Sequence, residues 1–97
     1  MKAVMIVFNH GITEELDELL ETNAIRGYTR WEQVQGRGSK SGEPHMGTHV
    51  WPGMNSALLA VVEDGKVESL LAGVRRIDEV AGKQGIRAFV WSVEAWV

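Results

Sequence analysis

Cysteine is absent from this chain, which rules out disulfides, thiolate metal sites and a cysteine nucleophile. Tyrosine occurs once and proline twice. No apolar run approaches the roughly 20 residues that a bilayer-spanning helix needs, so no direct membrane insertion is expected. Positive charge is not in excess. Ten Lys and Arg against thirteen Asp and Glu give a net charge of −3, which leaves no basic footprint for nucleic acid. The opening run Met1 to Phe8 lacks a small-residue cleavage site and polar sequence follows at once, so it reads as a strand rather than a leader. With no cysteine to mark an oxidising compartment, the cytoplasm is the expected location. Catalytic signatures are missing as well: no Gly-x-Ser-x-Gly elbow, no His-Glu-x-x-His and no P-loop. Nothing in the spacing sets a base against a partner group, and the chain is not expected to be an enzyme.

What is present is the composition of an ordinary globular protein, 97 residues with 44% hydrophobic and 24% charged side chains. A chain this short is expected to form one domain over residues 1–97. Val4, Ile6, Val7 and Phe8 predict a buried first strand over residues 2–9, ended by Asn9-His10-Gly11. Ile12, Leu16, Leu19 and Leu20 recur at helical spacing, and Glu14, Glu15 and Asp17 suit the positive end of the helix dipole. Gly27 is the expected stop. A strand from Tyr28 to Gln35 and another from Ser56 to Glu63 follow. Asp64 is placed to cap a second helix, whose stripe runs Val67, Leu70, Leu71, Val74, Ile77, Val80 and Ala81. After Gly82-Lys83-Gln84-Gly85, a last strand is expected from Ile86 to Val97.

This order is β-α-β-β-α-β, an α+β, ferredoxin-like arrangement with a four-stranded antiparallel sheet and two helices on one face. The strands conflict with a monomer. Ala3, Met5 and Val7 are as apolar as Val4, Ile6 and Phe8, and the third strand shows the same pattern. An antiparallel sheet with one wet face should alternate apolar with polar residues. The second face is therefore expected to meet another copy of the chain.

The connection between the second and third strands is unusually long. Both prolines and five of the eleven glycines fall within it, over residues 36–54. A small domain seldom carries so long a connection without a task for it. His45 and His49, with Met46, Met54 and Glu43 nearby, offer imidazole and thioether groups that suit copper or zinc. The same residues also fit a polar loop with incidental histidines. Trp51 is a candidate contact for a partner, because Trp is enriched at binding hot spots. The other three tryptophans lie on predicted strands and read as packing. Gly82-Lys83-Gln84-Gly85 reads from its residues as a helix cap and turn, and an anion-site role for it comes only with the resemblance below. His10 reads as a turn residue.

Three stretches resemble the P-II signal-transduction family. Val34-Gln35-Gly36-Arg37-Gly38 is similar to the opening of that family's T-loop, with Ser39-Lys40-Ser41-Gly42 after it. Leu59-Ala60-Val61-Val62-Glu63-Asp64 resembles the end of its third strand, and Gly82 to Val90 its B-loop and the strand beyond. Some features depart from the family pattern: the B-loop lacks Asp-Gly-Lys, the long loop has no tyrosine, and the family's C-terminal basic segment is expected to be missing. The resemblance implies a homotrimer whose sheets face inward and a small effector in the clefts between subunits. The residues carried over as effector contacts are Gly36, Gly38, Ser39 and Lys40 on one side and Gly82, Lys83, Gly85 and Arg87 on the other. A nucleotide or another small anion is the implied ligand. The T-loop-like insertion would control a target such as a membrane transporter or a metabolic enzyme. The alternative resemblance is to CutA-like or efflux-associated metal-binding trimers, with His45 and His49 as ligands.

Overall fold

The computed structural model describes residues 1–35, 54–82 and 85–97. Strand β1 (Lys2–Asn9) runs through a short 3-10 turn (His10–Ile12) into helix α1 (Thr13–Thr22). Strands β2 (Thr29–Val34) and β3 (Asn55–Val62) follow, then a 3-10 turn (Asp64–Lys66), helix α2 (Val67–Ala81) and strand β4 (Ile86–Ser92). The sheet order is β2-β3-β1-β4, with every neighbouring pair antiparallel. This is the expected α+β, ferredoxin-like topology.

Register decides what each face carries. Val4 stands opposite Ala60 and Val90, Ile6 opposite Leu58 and Ala88, Phe8 opposite Ser56 and Ile86. These residues share the face beneath the helices. Ile12, Leu16 and Leu20 of the first helical segment and Leu70 and Val74 of α2 close over them in one core. The four-residue steps put the α1 trio on one side of the helix, as core packing requires. The two helices approach closely at Gly73, where any Cβ would collide with the end of the Leu19 side chain. Edge strand β2 is tied to α1 by the Arg30–Asp17 ion pair, and Arg30 also lies 5.3 Å from the Tyr28 ring centroid.

Three local expectations change. Helix α1 stops at Thr22, well before Gly27, because Asn23 turns its side-chain amide onto the Leu19 carbonyl (2.9 Å) and Ala24 takes a left-handed φ of 56°. Asp64 does not cap α2. Its carboxylate pairs with the Met1 amino group at 2.9 Å, and that hydrogen bond and charge hold its pKa below the usual carboxylate range. Strand β4 ends at Ser92 rather than Val97, since Ser92 already stands opposite Lys2, the first residue of β1. Beyond that point the Val93 amide reaches back to the Met1 carbonyl at 3.2 Å.

Candidate functional site

The two glycine-containing connections end beside one another. Strands β1 and β4 are antiparallel neighbours, so the start of β4 lies at the end of β1. The Asn9 amide donates to the Gly85 carbonyl at 3.0 Å, and the His10 amide donates to the Met54 carbonyl at 2.8 Å. Two consecutive residues thus join Gly85 to the strand that leaves the long connection. Asn9 also folds the chain over locally, its Oδ1 accepting from the Gly11 amide at 2.8 Å, while Thr13 Oγ1 donates to the His10 carbonyl at 2.6 Å. The sequence reading of His10 as a turn residue holds for its backbone.

Its side chain adds something the sequence reading did not assign. His10 Nδ1 lies 3.2 Å from Ser56 Oγ, and Ser56 Oγ donates to the Glu32 carbonyl at 2.8 Å. Ser56 is 1% exposed, a polar residue on the buried face of a central strand. Its hydroxyl reaches the place where β2 and β3 fall out of register. Trp31 stands opposite Ala57 and Val34 opposite Asn55, so Glu32 and Gln33 together face one residue. A bulge of this kind leaves backbone groups without ladder partners, and here a side chain supplies one. The signal was legible: Ser56 breaks the apolar series 58, 60, 62 that fills the helix-side face.

Of the proposed effector contacts, Gly82, Gly85 and Arg87 are described. Gly82 closes α2 with φ 68° and donates its amide to the Asp78 carbonyl at 3.2 Å. Gly85 has φ 91°, a conformation that glycine alone adopts without strain. Arg87 is exposed and stands opposite Val7, which puts it on the face away from the helices, at the same end of the sheet. Gly36, Gly38, Ser39, Lys40, His45, His49, Trp51 and Lys83 lie outside the described residues. Among the described residues no group of three or more His, Asp or Glu could hold a metal ion, and no helix is long and apolar enough to cross a membrane.

A cleft of about 250 Å³ opens at the other end of the sheet between Met1, Ala24, Arg26, Val61, Glu63 and Lys66. It lies roughly 25 Å away along β1 at the usual rise per strand residue. Its lysine is already engaged, with Nζ donating to the Asn23 carbonyl at 3.0 Å and the Ala24 carbonyl at 3.1 Å. That leaves one ammonium proton for any ligand.

The nitrogen regulatory protein P-II family matches residues 1–97. The chain belongs to the P-II family. Solved P-II-like structures share its fold. CPII, a nitrogen regulatory PII-like protein from Thiomonas intermedia K12 bound to ADP, AMP and bicarbonate, gives a TM-score of 0.73 at 22% identity, covering 93% of this chain and 82% of CPII. The apo form of CPII gives 0.70 at 20% identity, covering 93% and 85%. A PII-like signalling protein from Thermus thermophilus gives 0.59 at 25% identity, covering 93% and 83%. No curated protein sequence matches the chain. The family assignment makes it a PII-like regulatory protein, and it gives the meeting point of the two connections a context that no single residue supplied.

Proposed function

We propose that this chain, as one domain over residues 1–97, forms a homotrimer that binds a nucleotide or another small anion in the clefts between subunits. The T-loop-like insertion at 36–54 then controls a target, such as a membrane transporter or a metabolic enzyme, in the cytoplasm and without catalysis. The observation that carries this reading is the convergence at the end of β1. The Asn9 and His10 amides hold the start of β4 and the exit of the long connection together, with Arg87 beside them on the uncovered face. Gly36, Gly38, Ser39 and Lys40 would approach from one connection and Gly82, Lys83, Gly85 and Arg87 from the other. Backbone amides at glycines and a guanidinium are the groups that hold small anions. CPII, which shares the fold, is bound to ADP, AMP and bicarbonate.

The uncovered face supports a ring. Trp31, 44% exposed, sits on β2 at one edge of the sheet, while Phe89 and Trp91, 55% and 48% exposed, sit on β4 at the other. Two unlike apolar patches on opposite edges fit a head-to-tail contact, which closes into a ring, better than a twofold contact of like with like. An effector between subunits shifts loop states only if it binds them with different affinity. Trp51 is the proposed contact with the target.

Calorimetry with ADP, AMP and bicarbonate tests the ligand, and sedimentation equilibrium tests the assembly. ADP binding by the wild type is expected, weakened about 10- to 100-fold in Arg87→Ala, the loss of one charge-assisted hydrogen bond of roughly 1.5–3 kcal/mol. Should none of the three compounds bind a trimeric wild type, the effector reading is wrong.

A further inference from the structure

We infer that His10 and Ser56 form a clasp, with His10 held as the Nδ1–H tautomer, that makes the ends of β1, β2 and β3 and Gly85 move as one unit. The argument begins with proton counting. A serine hydroxyl has one proton and a carbonyl has none. Ser56 therefore gives its proton to the Glu32 carbonyl, 2.8 Å away. At its 3.2 Å contact with His10 the Ser56 oxygen can only accept, so Nδ1 must carry the proton. In neutral imidazole the bond made by one ring nitrogen fixes the state of the other. Nε2 is left as an acceptor on an exposed residue.

The hydrogen bonds then connect in series. Glu32 lies in the bulge of β2, the strand that enters the long connection, and Ser56 lies in β3, the strand that leaves it. His10 holds Ser56 through its ring and the Met54 carbonyl through its amide. Its neighbour Asn9 holds the Gly85 carbonyl. A displacement of Gly85 is thus transmitted to both strand ends through two adjacent residues, the last of β1 and the first of the 3-10 turn. On the regulatory reading above, on which this consequence rests, an anion held at Gly85 and Arg87 reaches the strand ends at Val34 and Met54 by this route. His10 is a positioning residue in that scheme.

Two measurements without any ligand decide the proposal. Long-range proton–nitrogen spectra of the histidine rings, with His10 assigned by its loss in His10→Ala, are expected to show Nδ1 protonated in neutral wild type. Ser56→Ala should return the ring to the Nε2–H form. Amide exchange at Asn9, the residue bonded to Gly85, is expected to quicken about 10-fold in Ser56→Ala and His10→Ala, because protection follows local opening. His10→Asn keeps a donor near the Nδ1 position and should restore protection. An Nε2–H ring in wild type overturns the proposal, and so does unchanged exchange at Asn9 in both alanine variants. Absence of ADP, AMP and bicarbonate binding in wild type would remove the effector reading and leave the clasp to these two results.

Discussion

The same four strands show two different faces. On the helix side Val4, Ile6 and Leu58 have no exposed surface, and Phe8 has 1%. On the other side the neighbours in sequence of such residues, Val61, Phe89 and Trp91, keep 43%, 55% and 48% of theirs. Composition does not separate the two, since both are apolar. Coverage does. The helix side has its cover within the chain, and among the described residues none covers the other side. The difference teaches that one set of side chains stabilises the monomer fold, while the other is available to stabilise an assembly.

Removing a helix-side residue should have the largest effect. Leu58, on β3 next to the sheet centre and fully buried, packs against Ile6 in register. Leu58→Ala is expected to cost roughly 2–5 kcal/mol, from lost burial and the cavity left behind. Urea unfolding followed by circular dichroism reads it. A cost below about 1 kcal/mol would mean that the helix-covered face does not carry the fold as described.

Substitution on the open face should separate assembly from folding. Phe89→Glu combined with Trp91→Glu is expected to weaken subunit association by about 30-fold or more per site, as loss of a hot-spot aromatic does. Far-UV circular dichroism should stay close to wild type, because neither side chain belongs to the helix-side core. Val80→Glu is the matching control. Val80 is 82% exposed near the end of α2, away from the sheet, and its substitution should alter neither mass nor stability. If the double variant sediments like wild type, the open face is not the interface.

The two faces also mark how far the sequence could be read. Strand and helix order followed from apolar periodicity, and the double-sided strands announced an uncovered face before any register was known. Ser56 stood out as a polar break in the buried series, yet only the bulge at Glu32–Gln33 explains it, and register shifts leave no local sequence signature. Val93 to Val97 look strand-like in composition, but strand length is set by the partner, and β1 begins at Lys2. For the site, Gly85 and Arg87 were legible as turn and strand. Their nearness to Met54 is a long-range fact that depends on how β1 pairs on both sides.

The smallest expected effect lies on neither face, at the end of α1. Ala24 donates its amide to the Glu21 carbonyl and Ile25 donates to the Leu20 carbonyl, both at 2.9 Å, which is a helix closure that usually places glycine in the left-handed position. Alanine there, at φ 56°, bears a strain that glycine would relieve. Glycine also loosens the unfolded chain, an opposing effect of roughly 0.4–1 kcal/mol. Ala24→Gly should therefore change stability by no more than about 0.5 kcal/mol, the relief and the added freedom nearly cancelling. Ala72→Gly, at an exposed position inside α2, has no strain to relieve and should cost about 1 kcal/mol. The contrast between the two is the readout. Equal losses in urea midpoint would show that Ala24 is not strained, and the early stop of α1 would then rest on the Asn23 bond to Leu19 and the two Lys66 bonds to the Asn23 and Ala24 carbonyls alone.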